Sequence, residues 1–162
     1  MPAVIRPART ADLDALVAIE TAAFSGDRLT RRSLARLISV PSACVLVADC
    51  EGEVLGYCVV LFRASTTLAR LYSIAVAKGG HGIGRALLEA AEVEAVRRGR
   101  GGMTLEVRED NGRAVSLYRR AGYAPKDRVA GYYADGADAL RFRRTLGAAE
   151  ASSADEMAGS RR

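Results

Sequence analysis

Apolar and polar positions change period several times along the chain, and each change marks an element. Ala3 to Arg6 reads as a short strand. Thr10 reads as the cap of a helix, because Leu13, Leu16, Val17 and Phe24 then recur at helical spacing. Ser25-Gly26-Asp27 breaks that helix. Thr30 opens a second one with Leu34, Leu37 and Ile38 on one face, and Pro41-Ser42 ends it.

The period then shortens. Cys44 to Asp49 and Val54 to Phe62 read as a hairpin around Cys50-Glu51-Gly52-Glu53. Thr66 to Ala77 reads as a third strand with an apolar end at Ile74-Ala75-Val76. A glycine-rich loop, Gly79-Gly80-His81-Gly82-Ile83-Gly84, opens a long helix carrying Leu87, Leu88, Ala91 and Ala95, which Gly99 to Gly102 terminates. Met103 to Arg108 alternates as a strand, with Met103, Leu105 and Val107 against Thr104, Glu106 and Arg108. Asn111 is placed to cap a helix with Ala114, Leu117, Tyr118 and Ala121 on one face. Tyr123 to Val129 and Ala139 to Leu146 read as closing strands around the aromatic loop Gly131-Tyr132-Tyr133-Ala134-Asp135-Gly136. The order is β-αα-βββ-α-β-α-ββ, an α/β fold with helices on both faces of one sheet.

Composition narrows the classes. At 162 residues the chain fits one domain, spanning 1–147, and its 49% hydrophobic content is enough for a core. From Gly147 onward Ala, Ser, Glu and Gly dominate, so 148–162 is expected to be a disordered tail. No apolar run approaches the ~20 residues that span a bilayer. The start, MPAVIRPART, has no long apolar segment, so a cytoplasmic protein with no signal peptide and no membrane association is expected. Cys44, Cys50 and Cys58 form no CxxC pair and His81 is the sole histidine, which argues against a metal site. The net charge of +5 is carried mostly by arginine. It fits either an anionic partner, such as a phosphate-bearing cofactor or a ribonucleoprotein, or arginines scattered over helix faces. No basic run interleaves with aromatics, so no direct nucleic-acid binding is expected.

Strand, glycine-rich loop and helix together form a phosphate-binding arrangement. Glycines let the backbone approach, and the first N–H groups of the helix lack partners. The competing motifs fail. A dinucleotide fingerprint started at Gly80 meets Arg85, and one started at Gly82 meets Leu87. Gly79 and Gly84 have Walker A spacing, but Arg85-Ala86 replace the lysine and hydroxyl.

Two runs resemble the GNAT superfamily of N-acetyltransferases. Ile74-Ala75-Val76 with Gly82-Ile83-Gly84-Arg85-Ala86-Leu87-Leu88 is similar to its cofactor motif. Leu105-Glu106-Val107-Arg108, Asn111 and Ser116-Leu117-Tyr118-Arg119-Arg120-Ala121-Gly122-Tyr123 are similar to its next motif. The second run looks most like the branch that acetylates the N-terminal alanine of a ribosomal protein. The resemblance covers roughly residues 3 to 146 and implies a mostly antiparallel sheet. The chain departs from the pattern at Gly79, where Arg or Gln is usual, and in a shortened segment between Val76 and Gly82.

The resemblance implies acetyl-CoA as co-substrate. Ile74, Ala75 and Val76 would pair with its pantetheine arm. The N–H groups of Gly80, His81, Gly82, Ile83, Gly84 and Arg85 would hold its pyrophosphate, and Asn111 would touch the arm. Glu106 would be the general base, Tyr118 the general acid, and Tyr132 and Tyr133 the walls of an acceptor pocket. Without the resemblance, Glu106 is equally an exposed strand residue, Tyr118 a packing side chain, and the tyrosine pair a packed loop. The acceptor is expected to be a protein or peptide N-terminal α-amine, or else a small amine. A non-catalytic acyl-CoA-binding module is the other alternative. A monomer or homodimer is expected.

Overall fold

The computed structural model describes residues 3–77 and 82–147. Strand β1 (Val4–Pro7) leads through a 3₁₀ turn (Thr10–Asp12) into helix α1 (Leu13–Ala23) and then α2 (Arg31–Ser39). Strands β2 (Ala43–Cys50), β3 (Glu53–Phe62) and β4 (Leu68–Val76) follow, then helix α3 (Ile83–Arg97), strand β5 (Gly102–Arg108), helix α4 (Gly112–Arg120), and strands β6 (Ala124–Val129) and β7 (Ala139–Thr145). The expected order therefore holds, with strand ends moved by one or two residues. The expected tail, 148–162, lies outside the described residues, as do Gly80 and His81. No helix among the described residues is long and apolar enough to cross a membrane.

Thr10 does not cap α1. The Asp12 carboxylate turns back to accept from the Arg9 N–H at 2.7 Å, and this closes the 3₁₀ turn ahead of the helix. Arg6 of β1 donates to both Asp12 oxygens, at 2.9 and 3.0 Å, and to Asp49 of β2 at 2.9 Å. The Arg6 guanidinium holds both carboxyl groups below their ordinary pKa. Thr30 and Asn111 do cap: their side-chain oxygens accept from Ser33 N and Ala114 N.

The strands form one sheet in the order β1-β2-β3-β4-β5-β7-β6. Every neighbouring pair is antiparallel except β4 and β5. Alternation along the strands sends apolar side chains to both faces. Val45, Val47, Tyr57 and Val59 meet Leu13, Leu16, Ile19 and Leu34 of α1 and α2. Leu46, Cys58, Val60, Leu71, Leu105 and Val107 meet Leu87, Leu88 and Ala91 of α3 and Tyr118 and Ala121 of α4. The two clusters are the two layers of core that a double-faced sheet requires.

Two local features shape the middle of the sheet. At Gly56 a Cβ would lie 2.9 Å from the Ala75 carbonyl oxygen and 3.2 Å from side-chain atoms of both Ile83 and Leu87. Glycine at this point lets the start of α3 settle directly on β3 and β4. In β4 the register slips between Val59 and Val60 of its partner, so Tyr72 is an extra residue and the strand bends.

Gly56→Ala is expected to lower folding stability by about 1–3 kcal/mol, because the new methyl meets backbone that cannot rotate away. Urea denaturation of the variant beside the parent checks this.

Candidate active site

The parallel ladder between β4 and β5 runs only from Leu68↔Gly102 to Leu71↔Leu105. Beyond it β4 continues through Ser73, Ile74, Ala75 and Val76 while paired to β3 alone. The strands diverge at the bulge, so the backbone groups that β4 would have offered to β5 are left without a strand partner. The gap opens into a cleft of about 830 Å³. Its lining combines residues from both faces of the sheet.

From the α3 and α4 side come Ile74, Asn111, Ala114 and Tyr118. Val76 packs at the mouth beside Gly84, where a Cβ would stand 3.8 Å from a Val76 methyl. Ala75 is buried and faces α1 and α2 instead. Gly82 takes φ 72°, the left-handed conformation that glycine adopts without strain, and sets the N-terminus of α3. The N–H groups of Ile83, Gly84 and Arg85 have no partner inside the helix, since the first intrahelical bond is Ala86 N to Gly82 O. The Arg85 side chain is drawn sideways to Glu89 at 3.0 Å. Asn111 spends its carbonyl oxygen on the cap and also lines the cleft.

Tyr118 is 5% exposed and stacks edge-on against Tyr123 at 5.9 Å. It therefore packs as a core side chain and also lines the cleft. Burial pushes its hydroxyl well above the ordinary tyrosine range, so it stays protonated.

From the opposite face comes Glu106. Leu105 and Val107 point into the α3 layer, so alternation turns Glu106 the other way. Its side chain is 9% exposed, which excludes the reading of an exposed strand residue. Arg70 of β4 donates to Oε1 at 3.0 Å and Arg141 of β7 to Oε2 at 3.1 Å. Arg70 also donates to the Tyr132 hydroxyl at 2.7 Å and lies 5.2 Å from the Tyr72 ring centre. Tyr132 and Tyr133 meet edge to face at 4.9 Å, and Arg108 covers the Tyr133 ring. Burial raises the Tyr132 hydroxyl and pushes Tyr133 up to about 12.

Two loops enclose this side. Asp27, in the loop between α1 and α2, accepts from Ala134 N at 3.1 Å in the loop between β6 and β7. Glu20 of α1 is 2% exposed and also lines the cleft. It accepts from Leu29 N at 2.8 Å and from the Tyr57 hydroxyl. The described residues of the lining include the carboxylates of Glu20, Asp27, Glu106 and Asp135 and the guanidinium of Arg108, with Glu106 paired to Arg70 and Arg141. An environment of this kind suits a cationic or proton-donating ligand group.

A family profile described as the acetyltransferase (GNAT) family matches residues 13–123. The chain belongs to this family. Among curated GNAT relatives it is 35% identical over 140 residues to an uncharacterized N-acetyltransferase of Methanocaldococcus jannaschii, covering 85% of this chain and 88% of that one. It is 28% identical over 139 residues to a putative [ribosomal protein bS18]-alanine N-acetyltransferase of Bacillus subtilis, covering 85% and 92%. The crystal structure of the ribosomal-protein-S18-alanine N-acetyltransferase from Escherichia coli superposes with a TM-score of 0.80 at 27% identity, covering 90% and 94%. The GNAT fold that the resemblance implied is therefore present.

Reading along the sequence missed Glu20, Arg70, Ser73 and Arg141. Only Glu20 left a signal: it falls four residues after Leu16 and four before Phe24, on the apolar stripe of its helix. Arg70 and Arg141 reach Glu106 from strands that pair with β5 on either side, a relation with no trace in local periodicity.

Four buried or half-buried tyrosines, Tyr57, Tyr118, Tyr123 and Tyr133, have raised folded-state pKa values. The folded state therefore keeps protons that the unfolded chain releases near pH ~10. Stability is expected to be intact below that pH and to fall as pH rises above it. Tyrosinate absorbance should then appear together with loss of helical circular dichroism, not ahead of it.

Proposed function

We propose that this protein transfers the acetyl group of acetyl-CoA to the N-terminal α-amine of a protein or peptide. The observation that carries the reading is the opening through the sheet, where a carboxylate from one face, Glu106, and a protonated phenol from the other, Tyr118, border one cleft. The relatives named for ribosomal-protein alanine acetylation favour an N-terminal acceptor over a small amine.

The residues fit acetyl-CoA. The open edge of β4 at Ile74, Ala75 and Val76 offers backbone groups to its amide-bearing pantetheine arm. The N–H groups of Ile83, Gly84 and Arg85, at the N-terminus of α3, suit its pyrophosphate, and the helix dipole adds to that attraction. In this reading Gly80, His81 and Gly82 belong to the same phosphate loop. Asn111 contacts the arm through its amide. Acetyl-CoA supplies the thioester carbon, to which the amine nitrogen bonds as the carbon–sulfur bond breaks.

Glu106 takes the proton lost by the amine. Both of its oxygens are already engaged by guanidinium groups, so that proton arrives through water. Tyr118 gives its proton to the departing thiolate. Its depth in the core keeps it protonated until a negative sulfur appears beside it. Tyr132 and Tyr133 wall the acceptor side, and the carboxylate-rich lining draws in the cationic amine. The buried position of the reacting groups excludes bulk water that would otherwise hydrolyse the thioester.

A panel of N-terminal peptides and small amines, incubated with acetyl-CoA and read by free thiol release, tests the acceptor. Peptide turnover is the expected result; turnover of small amines with every peptide inert would overturn the N-terminal reading. Tyr118→Phe should lower kcat by about 10²-fold with acetyl-CoA binding unchanged. Glu106→Gln should reduce kcat/KM for the acceptor by a similar factor. Full activity in both variants would remove these residues from the mechanism.

A further inference from the structure

The proton-transfer scheme gives no task to Arg70. This side chain is not among the described residues that line the cleft, yet it meets three that do: Glu106, Tyr132 and Tyr72. Its Nε donates to Glu106 Oε1 at 3.0 Å, and its Nη2 lies 2.9 Å from a Glu106 oxygen, again Oε1. That Nη2 also donates to the Tyr132 hydroxyl at 2.7 Å. One nitrogen therefore touches both oxygens, and the carboxylate and the hydroxyl stand side by side. The guanidinium carbon lies 5.2 Å from the centre of the Tyr72 ring, at the bulge where β4 leaves β5. Arg141 holds the other Glu106 oxygen from β7.

The direction of the Tyr132 bond follows from its partner. A guanidinium has donors and no acceptor, so the phenol supplies a lone pair here and keeps its own proton. Burial raises the Tyr132 hydroxyl above the ordinary tyrosine range, which keeps that proton in place. The hydroxyl can then donate to a ligand oxygen while the neighbouring carboxylate accepts. A donor and an acceptor on one wall match an amine whose neighbouring carbon bears a carbonyl, as at a peptide N-terminus. A simple alkyl amine satisfies the carboxylate alone.

Resting on the N-acetyltransferase reading, we propose that Arg70 is a positioning residue that sets this pair, holding Glu106 to receive the amine proton and Tyr132 to donate to the carbonyl beside that amine. Arg70 acts through these two residues and does not meet the acceptor itself. Selectivity for an α-amine over other amines then originates in a guanidinium behind the wall. The same contact ties the loop between β6 and β7, which carries Tyr132, to β4.

Steady-state kinetics of the full chain with two acceptors test this. One is a peptide turned over in the panel. The other is the same peptide with a trans-alkene in place of its first amide, which keeps length and side chains and removes the carbonyl oxygen. The readout is the ratio of the two kcat/KM values. A change in acetyl-CoA binding or at Glu106 affects both acceptors alike and cancels, so a merely structural role for Arg70 leaves the ratio where it was. The parent is expected to favour the amide peptide by about tenfold, the scale of one hydrogen bond. Tyr132→Phe and Arg70→Met should each bring the ratio to within about twofold of unity, and the double variant should bring it no lower, because both changes remove one shared interaction. A parent ratio near unity would overturn the proposal, as would a parental ratio in either single variant. Tyr132→Phe removes one hydroxyl from a partly exposed side chain and should leave the fold intact. If Arg70→Met does not fold, Arg70→Lys replaces it: an ammonium lacks the planar fork that serves two partners at fixed angles, and the same fall in ratio is expected. A parent that acetylates no peptide would overturn the N-terminal reading, and this proposal with it. A parent that acetylates peptides at a ratio unchanged across the variants would overturn this proposal alone.

Discussion

The pairing of β4 with β5 ends at Leu71 and Leu105, and the rest of the site depends on that early end. A parallel ladder that ran the full length of both strands would seal the sheet, and the helices on its two faces would share no cavity. The slip opposite Val59 and Val60 bends β4 around Tyr72 and carries it away from its neighbour. Backbone groups that would be satisfied by β5 are then exposed along Ser73 to Val76. Polar backbone of this kind requires a partner from outside the sheet, whether water or a ligand. The same divergence brings α3 to begin, and α4 to lie, beside an opening through the sheet.

What crosses the opening is held by charge. Glu106 is nearly buried, and a carboxylate in that position is tolerable only when paired. Arg70 and Arg141 supply the pairs from the strands on either side, and Arg70 carries the link on to Tyr132. Glu20 is buried more deeply and is satisfied by a backbone N–H and a phenol. Removing one partner from such a group costs more than the contact was worth, since the other is left unpaired in a dry environment. These networks hold the site in one geometry. The surface pairs on α3, Arg85 with Glu89 and Arg97 with Glu94, are largely exposed on the arginine side and contribute little by comparison.

Proton ownership divides the cleft by face. Tyr118 enters from the α3 layer with a proton that burial keeps in place. Glu106, Glu20 and Asp27 enter from the other layer as hydrogen-bond acceptors. In the proposed mechanism a donor group such as an amine is drawn to one face, and a leaving group that needs a proton is served from the other. The sheet keeps these tasks apart, and its gap lets them meet.

Periodicity alone determined the element order, because alternation and helical spacing are local and each strand of this sheet carries its own pattern. It also placed the helix start at Thr30 and the cap at Asn111, and at both one side chain serves a backbone group three residues away. It failed at Thr10, because the Asp12 carboxylate that closes the turn answers also to Arg6 on β1. The pairing of motifs placed Glu106 and Tyr118 near one another without saying how. Only the tertiary structure decided that they approach from opposite faces, that Glu106 is gripped by Arg70 and Arg141, and that Glu20 meets the Tyr57 hydroxyl. The last two relations join residues 35 or more positions apart. Hydrogen bonds and ion pairs at such separations follow from strand order and pairing, and a linear pattern of apolar and polar residues holds neither.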